Sequence, residues 1–250
     1  MSQPARDPVQ VSRLATAAGD LAALDAAICA CRACPRLVAW REEVARVRRA
    51  AFRDEAYWGA PVPGFGAIDA SIGILGLAPA AHGGNRTGRV FTGDRSGDVL
   101  FAALHRVGLS NQPTSVRLDD GLALRHTRIF AAVRCAPPAN RPTPAERDAC
   151  APWLHRELGL LRDNLRVVVA LGAFAWDAYW PAVHAVYAVR PPVPRPAFGH
   201  GKRVEVPGAP ALLGCYHVSQ QNTFTGRLTP AMLDEVLRHA CDIAGVASME

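Results

Sequence analysis

A short apolar run, Ile72 to Leu77, leads directly into a loop of glycine, arginine and aromatic residues, and this junction constrains the fold most. An apolar run of this length is typical of a parallel strand that is covered on both faces. Comparable runs occur at 128–134, 166–172 and 211–216. Because helical patterns separate these runs and no internal repeat occurs, the sequence predicts a three-layer α/β/α fold with a mainly parallel central sheet.

Apolar spacing and capping residues locate the helices. Helices are predicted at 11–28, from Pro35 to about Arg49, at 97–107, from Ala145 through the 150s, from Ala173 to about Trp180, and from Thr229 to Ile243. Proline and glycine exclude regular structure from 57–69, and four prolines exclude a helix from CAPPANRPTP at 135–144. We expect one domain over residues 1–250, with residues 1–50 forming an N-terminal helical arm.

The order of these elements also predicts where a ligand binds. In open α/β sheets, ligands bind beyond the carboxyl ends of the parallel strands. The first strand ends at the glycine-rich loop, the second ends at a proline-rich loop that contains Asn140, and the last ends at His217. We therefore expect these three loops to meet at one edge of the sheet and to form a site.

Composition limits the chemistry of such a site. The chain has 250 residues and a net charge of +6, and no apolar run approaches the roughly 20 residues of a membrane span. Its first residues lack the layout of a signal peptide, so we expect a cytoplasmic protein without a membrane partner. Lys202 is the only lysine, so Schiff-base chemistry would depend on it alone. The positive charge is compatible with a polyanionic partner such as DNA.

Seven cysteines in a cytoplasmic chain favour metal binding, catalysis or core packing over disulfide bonds. Cys31 and Cys34 form a C-x2-C pair in a polar turn, and Cys135 and Cys150 form a second, more widely spaced pair. Four thiolates in this arrangement suit either a zinc ion or an iron–sulfur cluster, and the wide second pair favours the cluster. The other three cysteines lie in apolar runs and are expected to pack as small hydrophobic residues.

Two motifs carry a resemblance to a known family. GLAPAAHGGNRTGRVFTGD at 76–94 and YHVSQQNTFTGRLTP at 216–230 resemble the signature motifs of the family 5 uracil-DNA glycosylases, the UDGb type. The cysteine layout and VRCAPPANRPTP at 133–144 are also similar to that family. The resemblance implies a uracil-glycosylase α/β/α fold and removal of uracil and other deaminated bases from DNA. It also implies a [4Fe–4S] cluster on Cys31, Cys34, Cys135 and Cys150.

Base excision requires the damaged nucleotide to be flipped into a pocket, and bond cleavage builds positive charge on the sugar and negative charge on the base. We expect His217 to donate to a base oxygen, Asp94 to face the sugar, and Asn140 to position water. A competing role for Asp94 is to cap the helix that begins near Gly97. Phe91 is either a stacking platform for the base or an ordinary core phenylalanine.

The remaining site residues are assigned to the base or to DNA. Gly76, Ala78, Ala80 and Asn222 are expected to contact the base. Arg86, Arg89 and the backbone amides of Gly83 and Gly84 are expected to contact DNA phosphates. A loop that includes Ser219, Gln221 and Arg227 is expected to enter the minor groove. Gln221, Asn222 or Phe224 is expected to fill the gap left by the flipped base. We expect the protein to be a monomer. Its expected partner is double-stranded DNA, and single-stranded DNA is the second expected substrate form.

Two alanines bear on the substrate. Many uracil-DNA glycosylases carry an acidic or amide residue where this chain has Ala78, and family 4 enzymes carry an asparagine where it has Ala131. A pocket without that amide should accept hypoxanthine as well as uracil. Because the motifs contain no lysine, we expect a monofunctional enzyme that leaves an abasic site. The main alternative is a non-catalytic, metal-stapled module that binds nucleic acid.

Overall fold

The computed structural model describes residues 3–247, which form a six-stranded sheet of order β1-β3-β2-β4-β6-β5. The strands are β1 (Phe65–Gly66), β2 (Ile72–Gly76), β3 (Thr127–Ala131), β4 (Val167–Leu171), β5 (Arg203–Val204) and β6 (Ala211–Cys215). The central strands β3, β2, β4 and β6 are parallel, whereas the two short edge strands are antiparallel to their neighbours. The predicted α/β class with a mainly parallel sheet is therefore confirmed.

The helices agree with the predicted order but differ in their bounds. They are α1 (Pro8–Ala17), α2 (Leu21–Cys29), α3 (Pro35–Val47), α4 (Gly84–Thr87), α5 (Arg95–Arg106), α6 (Pro144–Leu160), α7 (Ala173–Tyr187), α8 (Gln220–Phe224) and α9 (Pro230–Ala244). The single helix predicted at 11–28 is two helices, because Asp20 caps α2 by accepting the Ala23 N–H. Within residues 3–247, none of these helices combines the length and apolar character needed to cross a bilayer.

The sheet lies between two apolar layers, as a three-layer fold requires. Every residue of the four central strands is buried. In β2, Ile74 packs with residues of α5 and α9, whereas Leu75 packs with residues of α6 and α7. Alternate side chains of a strand point to opposite faces, so near-continuous apolar strands supply both layers.

A network of buried charged groups joins α2, β3 and α6. The Nε atom of Arg128 donates to Glu157 Oε1 at 2.6 Å, and its Nη2 donates to Asp25 Oδ2 at 2.8 Å. Arg134 donates to the other oxygen of Glu157. Burial acts to raise the pKa of Glu157, but the guanidinium groups of Arg134 and Arg128 hold it below the usual range. Glu157 is therefore ionised inside the protein, and its charge is balanced.

Replacing Glu157 should lower the free energy of unfolding, because a buried arginine then lacks its carboxylate partner. We expect Glu157→Gln to lower the free energy of unfolding by about 3–5 kcal/mol, since Arg134 loses its carboxylate partner and Arg128 keeps only Asp25. The exposed pair of Arg203 and Glu205 provides the control, and Glu205→Gln should change that energy by less than about 1 kcal/mol. Urea unfolding at pH 7 measures the free energy of both variants. Equal losses for Glu157→Gln and Glu205→Gln would contradict the role of Glu157 as a buried counter-charge.

Candidate active site

The carboxyl ends of β2, β3 and β6 open into one cleft of about 530 Å³. Among the residues predicted from sequence, the cleft is lined by Gly76, Ala78, Ala80, Phe91, Asp94, Asn140, His217, Ser219 and Gln221. Loops that are far apart in the sequence therefore meet at one edge of the sheet. This arrangement is the one that the strand order predicts.

Phe91 forms part of the cleft wall, and two glycines fix its position. Its ring lies beside β2, where a Cβ atom at Gly76 would be 3.0 Å from the ring. Its backbone adopts a positive φ of 50°, and its carbonyl oxygen lies so close to Gly97 that a Cβ there would be 1.9 Å away. The ring centroid is 6.2 Å from that of His217. Gly76 and Gly97 therefore allow the loop to place an aromatic ring against the cleft.

Asp94 caps α5 and lines the cleft at the same time. Its Oδ1 atom accepts the Gly97 N–H at 2.9 Å, as a helix N-cap does. Its other oxygen lies above Gly83, where a Cβ atom would be 1.9 Å away. Burial raises the pKa of Asp94, opposed by the N–H groups of Gly97 and Ser96. The two roles considered from sequence are thus compatible, because one oxygen caps the helix while the carboxylate borders the cleft.

His217 follows β6 and reaches the cleft as a neutral imidazole. Burial lowers its pKa, so the ring is uncharged at pH 7 and carries one N–H. Asn222 donates from its side-chain nitrogen to the backbone oxygen of His217 at 2.8 Å. Asn222 is not among the described residues that line the cleft, and its side chain holds the loop through this bond. Its contact with the base stays a prediction.

Asn140 lies at the rim of the cleft on a tightly turned segment. The segment Pro138–Asn140 is a 3-10 turn in which Ala139 and Asn140 have positive φ values of 52° and 54°. Such values are uncommon outside glycine, although asparagine tolerates them best. The turn leaves the Asn140 side chain exposed at the rim.

Arg86 and Arg89, which are predicted to contact phosphate, are largely buried and paired within the protein. Arg86 pairs with Glu55 and donates to the carbonyl oxygen of Gly93 at 2.7 Å. Arg89 pairs with Asp120 at 2.7 Å, and only 2% of its side chain is exposed. Both guanidinium groups hold the loop within the protein, and their DNA contacts stay a prediction.

The amides of Gly83 and Gly84 were also expected to contact phosphate, but both glycines are buried. The Gly83 N–H donates to the carbonyl oxygen of Ala80 at 3.2 Å. A Cβ atom at Gly84 would lie 3.0 Å from Pro79. Both glycines permit close packing, and Gly83 also lines a groove beside the cleft, so their phosphate contacts stay a prediction.

Other arginines lie at the mouth of the cleft and were missed. A second groove of about 670 Å³ shares Asp94 and Asn140 with the first and is lined by Arg49 and Arg95. Both arginines are exposed. Arg49 belongs to the basic segment RVRRAAFR at 46–53, which was the available signal but lies far from the motifs. Arg227 is exposed as expected, 4.6 Å above the ring of Tyr216.

The four cysteines proposed as ligands line one small cavity. They are Cys31, Cys34, Cys135 and Cys150. The sulfur of Cys135 accepts an N–H from Arg41 at 2.9 Å, and that of Cys150 accepts the backbone N–H of Arg134 at 3.3 Å. Within residues 3–247, no group of three or more His, Cys, Asp or Glu side chains is suited to holding a metal ion as it stands.

The family model for the Uracil DNA glycosylase superfamily matches residues 63–241. The chain belongs to this superfamily. A type-5 uracil-DNA glycosylase of Mycobacterium tuberculosis is 58% identical over 233 residues, which cover 93% of this chain and 85% of the relative. That of Thermus thermophilus is 54% identical over 217 residues, covering 87% of this chain and 95% of the relative. These matches confirm the resemblance to family 5 inferred from the motifs.

The two roles of Asp94 can be separated by substitution. Asparagine caps helices about as well as aspartate, so we expect Asp94→Asn to leave the free energy of unfolding unchanged or slightly higher. Asp94→Ala loses the cap and should lower that energy by about 1 kcal/mol. Urea unfolding at pH 7 measures both variants. A loss for Asp94→Asn as large as that for Asp94→Ala would show that the buried charge itself stabilises the loop.

Proposed function

We propose that the chain hydrolyses the N-glycosidic bond of uracil and other deaminated bases in DNA and leaves an abasic site. The observation that carries the proposal is the convergence of Phe91, Asp94 and His217 on one cleft, in a chain of the uracil DNA glycosylase superfamily. The relatives named as uracil-DNA glycosylases share this sequence over most of its length. Lys202, the only lysine of the sequence, is not among the described residues that line the cleft, which supports a mechanism without a covalent Schiff base.

The cleft suits a base that has left the DNA stack. A nucleotide must be flipped out before an enzyme can reach its glycosidic bond, and its base then needs a flat apolar contact. Phe91 offers such a face, and stacking of a base on an aromatic ring contributes about 1–3 kcal/mol. Stacking does not depend on the identity of the base. The aromatic contact therefore supports binding of more than one damaged base.

Hydrolysis separates charge, and the two sides of the cleft can stabilise it. The N–H of neutral His217 donates to an oxygen of the departing base, which gains negative charge. The carboxylate of Asp94 stabilises the positive charge that develops on the sugar. Asn140 positions the water, whose hydroxyl bonds to the sugar carbon while its proton balances the charge of the released base. No proton transfer to Asp94 is required in this dissociative scheme.

The lining near the base supports activity on hypoxanthine. Ala78 and Ala131 both line the cleft and present methyl groups where a polar side chain would read one base edge. A site built to hydrogen-bond one substrate rejects analogues strongly, whereas an apolar wall does so weakly. The enzyme is therefore expected to accept purines that carry a carbonyl oxygen for His217.

DNA reaches the cleft across an arginine-bearing rim. Arg49 and Arg95 line the groove beside Asp94, and Arg95 lies over the ring of Phe224 in α8, next to Ser219 and Gln221, which line the cleft. Arg227, which is exposed over the ring of Tyr216, is included among the proposed DNA contacts. Positive side chains at a rim bind phosphates without reading sequence, so they hold either double-stranded or single-stranded DNA.

A [4Fe–4S] cluster bound by Cys31, Cys34, Cys135 and Cys150 completes the proposal. The four thiols surround one cavity, and two of their sulfurs accept N–H groups, as sulfur ligands of clusters do. The wide spacing of Cys135 and Cys150 favours a cluster over a single zinc ion, because zinc ribbons usually carry two C-x2-C pairs. When bound, the cluster would supply cross-links between the N-terminal arm and the loop after β3.

Uracil excision tests the proposed function directly. The protein is incubated with a duplex that contains one uracil or one hypoxanthine, and strand breaks are counted with and without alkali. We expect breaks only after alkali, and we expect Asp94→Asn and His217→Ala each to slow single-turnover excision by about 10²-fold to 10³-fold. Asp94→Asn is the sharper variant because it keeps the helix cap. Tight binding of DNA without any excision would instead favour a non-catalytic module.

The DNA path predicts how binding responds to salt. Each lost phosphate contact should reduce the slope of log K against log salt by about 0.9, so Arg49→Gln and Arg95→Gln should each show this change on duplex DNA. Arg13, exposed on α1, is the matched control, because α1 packs on α6 and lies outside both grooves. Fluorescence anisotropy over a salt series measures the slope. Equal slopes of log K against log salt for Arg49→Gln and Arg13→Gln would show that Arg49 does not contact a DNA phosphate.

A further inference from the structure

Arg41 is a buried cation without a carboxylate partner. It lies on α3, and only 2% of its surface is exposed. Its Nη1 atom donates to Cys135 Sγ at 2.9 Å and its Nη2 atom donates to the carbonyl oxygen of Cys31 at 3.0 Å. Its Nε atom is buried and has no hydrogen-bond partner among residues 3–247. Within that range, no Asp or Glu oxygen lies within 4.0 Å of the guanidinium group.

The neighbouring charges do not balance Arg41, because each is already paired. Arg128 and Arg134 share Glu157 and Asp25, so two cations face two anions. Two further carboxylates act on this region, and both have their own arginine: Glu146 pairs with Arg36, and Glu42 pairs with Arg32. Arg41 therefore adds one uncompensated positive charge to this part of the described structure. A buried charge without a counter-charge is strongly destabilising.

The cavity beside Arg41 is lined by the four thiols. A cluster bound by four thiolates is an anion, since the ligands carry more negative charge than the oxidised core carries positive charge. We propose that Arg41 is the counter-charge and positioning residue of the iron–sulfur cluster. This role rests on the cluster included in the proposed function. It explains why a cation is buried at the thiols with one N–H directed to sulfur.

The position of Arg41 also joins ligands that are distant in the sequence. One nitrogen contacts the backbone of Cys31 in the arm and another contacts the sulfur of Cys135 after β3. Both contacts come from one planar group, whose donors have fixed spacing. Arg41 therefore sets the separation of two ligands in addition to balancing their charge.

The test compares full-length Arg41→Met, Arg41→Lys and Arg32→Met proteins with the wild type, all purified without oxygen. Arg32 is the matched control because it follows Cys31 directly, yet its guanidinium group is on the surface with Glu42. Iron and sulfide per chain and the reduction potential of the cluster are measured. For Arg41→Met we expect iron affinity to fall on the order of tenfold and the potential to become more negative. Arg41→Lys keeps the charge and should retain more iron, at a potential nearer to the wild type.

Melting temperatures distinguish this role from simple packing. After the iron has been removed with a chelator, Arg41→Met should melt at the same temperature as the wild type or higher, because an unpaired buried cation is gone. The proposal is overturned if Arg41→Met matches Arg32→Met in iron content and potential, or if its iron-free form is unfolded. Wild-type protein that purifies with zinc or without iron overturns the cluster and this role together. The uracil excision assay still decides the proposed reaction in that case.

Discussion

The buried network of Arg128, Arg134, Glu157 and Asp25 holds together the parts of the chain on which the site depends. It connects α2 of the arm, the strand β3 with the residues after it, and the core of α6. Arg134 lies next to Cys135, so the network also places the loop that leads to Asn140. Its charges are balanced within the network, and losing Glu157 would leave Arg134 without a carboxylate partner among the described residues.

Close backbone packing shapes the glycine-rich loop after β2 and the start of α5. Gly83 leaves room for the Asp94 carboxylate, and Gly97 leaves room for the carbonyl oxygen of Phe91. A side chain at either position would push Asp94 or Phe91 out of the cleft. Gly83 and Gly97 are thus explained by packing. They leave room for Asp94 and Phe91, the two side chains proposed to contact the flipped nucleotide. This packing is why the loop is both glycine-rich and buried.

The sequence predicts the sheet and the position of the cleft because both follow from local patterns. Apolar runs mark the central strands, and the order of elements places their carboxyl ends together. The internal ion pairs of Arg86 and Arg89 could not be predicted, since their partners, Glu55 and Asp120, come near only in the folded chain. Arg49 was missed for the same reason, because a basic segment far from the motifs reaches the cleft only through the packing of α3.

The packing of α3 also relates the cysteine cavity to the cleft. Asn85 lies in α4 of the glycine-rich loop after β2, and its side-chain nitrogen donates to the backbone oxygen of Arg41 at 3.2 Å. A cluster bound by Cys34 would fix the start of α3 and, through it, the position of Arg41. It would therefore also fix the backbone oxygen of Arg41, which accepts the hydrogen bond from Asn85. The loop in turn packs Gly83 against Asp94. The proposed cluster would thus support the proposed base excision by holding the Asp94 carboxylate in place, without any transfer of electrons.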